Sequence, residues 1–264
     1  MTSLDLPVSG PAWPTCALGA WAAAWRSGHC SPDDVADVLG EFADRHILDD
    51  AESPAPVGAD DRLAILALLR RASSIGVRLP SAGAPQGLPP GAATTAAFHS
   101  GEVLVVDDGG HEPLALLPTL GDTVCRWALR RFPAPPAADD GHGLGQVEYD
   151  LIQAVREGAE IIGRLGDTGV RSRSRGTDIR TSIARMTTHL QVLMPPHDNS
   201  RATRILESAA QVEAVLRVAT SNQITVGATA VHHDLTDGHV RQLFSLTRSA
   251  RAAAVNAVIR DFAR

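Results

Sequence analysis

"VEYDLIQAVREGAEIIGRL", residues 147–165, carries apolar or small residues at Val147, Leu151, Ala154, Gly158, Ile161 and Leu165. Alternating steps of four and three place all six on one side of an α-helix. The same rhythm returns at Ile179, Ile183, Met186, Leu190 and Leu193, and again at Ala202, Ile205, Ala209, Val212 and Leu216. It returns once more at Leu243, Thr247, Ala250, Ala254 and Val258. Four one-sided helices in succession predict an antiparallel four-helix-type bundle over residues 146–264. The single tyrosine, Tyr149, lies beside the first stripe and is expected to pack there with its hydroxyl exposed.

Upstream the pattern changes. "PAPPAADDGHGLG", residues 133–145, has linker composition and separates the bundle from residues 1–132. Within 1–132, "SPDD" from Ser31 to Asp34 reads as a helix start: a capping serine, a proline at the first helical position and two acids at the positive helix end. "RLAILALLRRA", from Arg62, is apolar nearly all round and is expected to be a buried helix. "CALGAWAAAW", from Cys16, is too short to span a bilayer; Leu18, Trp21 and Trp25 share a helical face. Asp5 precedes it and no basic residue does, which speaks against a signal peptide. "GEVLVVDDGGHEPLALLP", residues 101–118, reads as a β-hairpin turned by Asp-Gly-Gly, with Pro113 placing the second strand at an edge. A short helix is expected from Asp122 to Phe132. The fold expectation is therefore mainly α (α+β): a small N-terminal α+β unit with a hairpin, then a helical bundle.

Composition removes several chemistries. All 24 basic residues are arginine, so no lysine can serve a phosphate loop, a Schiff base or general-base catalysis. Lysine-free, Ala- and Pro-rich usage fits a high-GC bacterium. Residues 1–140 hold 9 Arg against 18 Asp and Glu, whereas residues 141–264 hold 15 against 12. This asymmetry suggests two separate or mutually attracting halves. Cys16, Cys30 and Cys125 form no CxxC pair, which points to reduced thiols and a cytoplasmic setting. His232, His233 and His239 lie close in sequence, but adjacent histidines seldom point the same way, and no metal or other cofactor is expected. "GHGLGQ", residues 141–146, lacks the spacing and preceding strand of a dinucleotide loop.

The arginine-rich "GVRSRSRGTDIR", residues 169–180, is the one candidate anion site. Were the run extended, Arg171, Arg173 and Arg175 would share a face and could follow a row of phosphates. With no nucleophile–base set in evidence, the sequence points to a non-enzymatic cytosolic interaction or regulatory module acting through helix faces, binding a protein partner or itself. Phosphate or nucleic-acid binding through the arginine loop is the first alternative, disfavoured for nucleic acid by the net charge of −6. An enzyme with a site between the two halves is the second.

Overall fold

The computed structural model describes residues 11–50, 60–110, 112–137, 143–167, 173–223 and 230–264, with the side chains of 157–179, 221–237 and 239 outside that description. Its N-terminal half contains α1 (Pro14–Arg26), α2 (Pro32–Gly40), β1 (Arg45–Asp50), α3 (Arg62–Arg71), β2 (Ser74–Arg78), α4 (Ala92–Ser100), β3 (Val103–Asp107), β4 (Leu114–Leu120) and β5 (Val124–Arg131). α5 (Leu144–Asp167), α6 (Arg173–His189), α7 (Ser200–Gln223) and α8 (Ala230–Phe262) follow.

The strands form one mixed sheet in the order β1-β5-β4-β3-β2, with β1 parallel to β5 and the other pairs antiparallel. This corrects the expected N-terminal unit built on a lone hairpin. β3 and β4 do pair antiparallel, Leu104 opposite Leu116, but β4 is an interior strand and not an edge. Pro113 precedes β4, where its missing N–H costs no ladder bond. The segment expected to be a helix after Asp122 is β5. Its Cys125 and Trp127 are buried while Arg126 is exposed, the period-2 alternation of a strand.

The sheet is covered on one face by α1, whose approach depends on Gly19. A Cβ there would stand 2.9 Å from Leu104 Cδ1, 3.1 Å from Val77 Cγ2 and 3.3 Å from Ile259 Cδ1. Trp127, Leu116, Leu104 and Val77 fill this side. On the other face Leu117, Ala115 and Val103 pack with Ala93, Ala97 and Phe132. Helix α2 starts as its sequence suggests: Ser31 Oγ accepts from Asp34 N while Asp34 accepts from Ser31 N, a reciprocal capping box. In α3 only one side is buried, through Ile65, Leu66 and Leu69; Leu63 is 78% exposed, so the helix is not surrounded as expected.

Both sheet edges are closed by side chains. Along β2, Asn256 of α8 accepts from Val77 N (2.8 Å) and donates to Val77 O (2.9 Å). Just beyond the strand, Gln86 makes the same pair of bonds to Leu79 N and O. Along β1, His46 N donates to Asp60 and Leu48 N to Asp61, while Asp61 N donates to His46 O. Amide and carboxyl groups thus stand in for the absent neighbouring strand.

The C-terminal helices do not form a clear antiparallel four-helix bundle. α7 packs on α5, α6 and α8, α5 also packs on α8, and α6 leans chiefly on α7. The position beside α8 that a closed bundle would give to a fourth helix is held by α1 and β2. The cause lies in α8 itself. Ala250, Ala252, Ala254, Val255, Ala257, Val258 and Ile259 are all buried, so this helix is apolar around its circumference and needs cover on two sides. The stripe Leu243, Thr247, Ala250, Ala254 and Val258 is buried throughout, but it accounts for only one of those sides. One buried cluster therefore runs from Trp13 through the sheet to Ile259.

Candidate functional site

The most unusual chemistry lies where α1, α7 and α8 meet. Trp13 precedes α1 with left-handed backbone angles, φ 71° and ψ 52°, uncommon for a bulky side chain. Its indole is flanked by two guanidiniums: Arg251 lies 4.3 Å and Arg248 5.0 Å from the ring centroid. Such cation–π contacts strengthen where water is excluded. Arg251 and Glu213 are both fully buried and joined by a 2.7 Å bond from Arg251 Nη1 to Glu213 Oε2. The other Glu213 oxygen takes two bonds from Arg217, one helical turn on. Burial opposes ionisation of Glu213, but Arg251 and Arg217 outweigh it and hold the carboxyl below the ordinary range.

Glu102, between α4 and β3, completes the cluster. Its Oε2 accepts from Thr15 N (3.0 Å) and Thr15 Oγ1 (2.5 Å). Here burial prevails: it pushes the Glu102 carboxyl up against the pull of Thr15, Arg248 and Arg251. Arg248 reaches from α8 to Gly101 O, and a Cβ on Gly101 would stand 2.7 Å from its Nη2. With φ +77°, that residue favours glycine on backbone grounds too.

Among the described residues, His46 and the three cysteines are further groups whose chemistry the packing constrains. Trp127 Nε1 donates to His46 Nδ1 (2.9 Å), so His46 Nε2 carries the proton and donates to Leu39 O (2.8 Å). Burial pushes the His46 pKa down, which keeps the ring neutral. Cys16 and Cys125 are buried, and burial drives both thiols up, Cys125 to about 12, the opposite of an activated nucleophile. Cys30 is half-buried beside the α2 cap and is also shifted upward, by burial and by Asp34. A cleft of about 370 Å³ beside β2 is lined by Arg78, Asp107, Asn256 and Arg260 among others. Among the described residues its lining contains no histidine or cysteine, Asn256 is committed to Val77, and Arg78 bonds the carbonyls of Val77 and Gln86.

The surface offers a different feature. Helix α5 buries Leu151 and Ala154 against the core, yet Tyr149, Ile152 and Val155 stand 57%, 45% and 41% exposed. Tyr149 is therefore not the packed residue its position beside the stripe suggested. Spaced three apart, the three side chains form a second apolar line on α5, around the helix from the first. Glu148, on the neighbouring flank, is bound by Arg204 (2.9 Å) and Arg201 (3.1 Å), and the Arg204 hydrogen bond lowers its pKa.

Comparison with known proteins places this architecture. Residues 15–140 match the N-terminal domain of the Rv1486c-like proteins, and residues 145–254 match their C-terminal domain. The chain belongs to the Rv1486c-like family. Protein Rv1486c of Mycobacterium tuberculosis is 28% identical, over 93% of this chain and 97% of its own length. Protein ML1804 of Mycobacterium leprae is 27% identical over the same shares, and protein MAV321 of Mycobacterium avium 26% over 71% and 72%. Their names assign no activity. No solved structure matches the chain.

The two Rv1486c-like halves contribute jointly to the buried cluster. Thr15 and Glu102 come from the N-terminal match, Glu213, Arg217, Arg248 and Arg251 from the C-terminal one. Sequence reading missed this cluster, although a signal was present. Glu213 interrupts "AAQVEAVL", and Arg248 and Arg251 sit among the small residues of "TRSARAAAV", three charges on stretches otherwise uncharged. Of the predicted anion residues, none has a described side chain. Arg171 lies outside the described residues; Arg173 and Arg175 lie in the first turn of α6, where the extended geometry that would align them does not apply. The side chains of His232, His233 and His239 are likewise outside the description. Among the described residues no group of three or more His, Cys, Asp or Glu is placed to hold a metal ion, and no helix is long and apolar enough to cross a membrane.

Proposed function

We propose that this protein is a non-enzymatic cytosolic interaction module that pairs with a second copy of itself through α5. The observation that carries the reading is the exposed line Tyr149–Ile152–Val155 on a helix that already buries Leu151 and Ala154. The line is symmetric about Ile152. An antiparallel pair centred there sets Tyr149 against Val155 of the second copy and brings Glu148 near its Arg156. Self-complementarity of this kind is what a two-fold interface requires. The buried Arg–Glu cluster and the occupied His46 support a structural role for the polar interior.

The test is sedimentation velocity over a concentration series. Wild-type protein should move from the 27.8 kDa monomer towards the dimer as concentration rises. Ile152→Glu should remain monomeric with an unchanged circular dichroism spectrum. A wild-type chain that stays monomeric throughout, or an Ile152→Glu variant that dimerises like wild type, overturns the proposal.

A further inference from the structure

The buried cluster holds a second feature that the packing of the halves does not require. Arg251 uses only Nη1, on Glu213. Its Nε and Nη2, both buried, have no hydrogen-bond partner among the described residues. These two nitrogens form the side-on edge of the guanidinium, the fork that grips carboxylates and other anions with two parallel bonds. Trp13 Nε1, on the very ring that Arg251 stacks against, is also buried and unpartnered. All three unmet groups are donors. Buried donors left unmet cost free energy, so three of them around one stacked pair call for an acceptor.

The charge balance points the same way. Arg217, Arg248 and Arg251 bring three positive charges; Glu213 and Glu102 bring at most two negative ones. A neutral Glu102 would enlarge the excess. Glu213 does not supply the missing acceptor: its bonds go to Arg251 Nη1 and to Arg217, and neither oxygen is bonded to Arg251 Nε or Nη2. Glu102 Oε2 is held by Thr15 from the other side.

We propose that the Nε–Nη2 edge of Arg251, together with Trp13 Nε1, binds one small monovalent anion, of the halide or formate class, at the seam between the two halves. The anion would neutralise the excess charge and satisfy donors that the chain leaves unmet. Because Trp13 and Thr15 come from one half and Arg251 and Glu213 from the other, the bound anion would fasten the halves together. This inference is independent of pairing through α5.

The experiment measures the thermal midpoint at constant ionic strength while gluconate, a much larger anion, is replaced by chloride or by formate. The expected result is a saturable rise. Trp13→Phe keeps the aromatic surface but removes the indole donor, and should weaken the half-saturating concentration roughly tenfold. Saturation at lower formate than chloride would identify a carboxylate site, and the reverse a halide site. Crystals grown in bromide should show an anomalous peak beside Arg251 Nε and Nη2. Identical midpoints in gluconate, chloride and formate overturn the proposal. So does a rise that Trp13→Phe leaves unchanged, or bromide bound only elsewhere.

Discussion

Helices α5 and α8 begin from the same sequence rhythm and end in opposite circumstances. Each packs on α7 and has an apolar stripe at steps of three and four, buried at Leu151 and Ala154 in α5 and from Leu243 to Val258 in α8. Each also has further apolar residues around its circumference. In α8 these are Ala252, Val255 and Ile259, and they are covered within the chain by α1 and β2. In α5 they are Tyr149, Ile152 and Val155, and they face solvent. Isoleucine and valine occur in both sets, so what separates the two is the remaining company: buried alanines at 250, 252, 254 and 257 in α8, and the bulky Tyr149 in α5. Alanine on α8 and Gly19 on α1 let backbones approach closely enough to bury everything between them. The large side chains of α5 would hold a neighbouring helix at a greater distance, suited to a second molecule rather than to another layer of the same core. A second apolar side on a helix asks for cover, which α8 finds within the chain and which, on the reading proposed above, α5 finds on a second copy.

The comparison can be broken most severely at the α8 seam. Glu213→Gln leaves Arg251 buried without its carboxylate and should cost about 3–5 kcal/mol in urea denaturation. Glu213→Leu combined with Arg251→Met should recover most of that loss, because two apolar side chains need no compensation. If Glu213→Gln is near neutral, the ion pair does not hold the seam.

Gly19→Val should cost about 2–3 kcal/mol by forcing α1 off Leu104 and Val77. Gly19→Ala should lie much closer to neutral, since a helix gain of about 1 kcal/mol offsets a milder clash. Equal stability of the valine and alanine variants would show that α1 has room to move.

Acidification probes the sheet side of the same core. The His46 pKa is depressed in the folded state, so the unfolded chain binds the extra proton more readily. The contribution of His46 is complete above its unfolded pKa of about 6.5 and is lost as pH falls from there through the folded value. Ring resonances followed by NMR should report a neutral, Nε2-protonated His46 below pH 6.5. A ring that titrates at the unfolded value would remove this source of acid sensitivity.

The smallest effect on stability belongs to α5. Ile152→Glu should change the monomer's unfolding free energy by no more than about 0.5 kcal/mol, as expected of an exposed site. A loss of several kcal/mol would mean that the line is covered by the chain itself, and the contrast with α8 would disappear.

Much of the helical content could be read from the sequence because each signal was local. The Ser31 cap and the stripes on α5, α7 and α8 are settled by residues within a few turns of one another. What sequence reading missed depended on distant partners. β1, "RHILDD", is six residues long and mostly polar; only its parallel pairing with β5, far along the chain, makes it a strand. β5 alternates at Cys125 and Trp127, but its strand character rests on the ladders to β4 and β1, not on its own few residues. The four stripes gave four helices but neither how many sides each would bury nor which neighbour it would choose, so α1 could not be foreseen in the place of a fourth bundle helix. The Arg–Glu cluster was hidden for the same reason: Glu213 and Arg251 are 38 positions apart, and Thr15 and Glu102 are 87.

The amide clasp of Asn256 on Val77 has a consequence for the newborn chain. The two residues are separated by 179 positions. At roughly 5–20 residues per second, a ribosome needs on the order of ten to thirty-five seconds between making the strand and making the residue that seals it. Throughout that interval β2 has a bare edge able to pair with any extended chain nearby. Protection in the finished molecule is a matter of geometry, but during synthesis it is a matter of timing, and slow translation between residues 77 and 256 would lengthen the period in which this protein is open to misassembly.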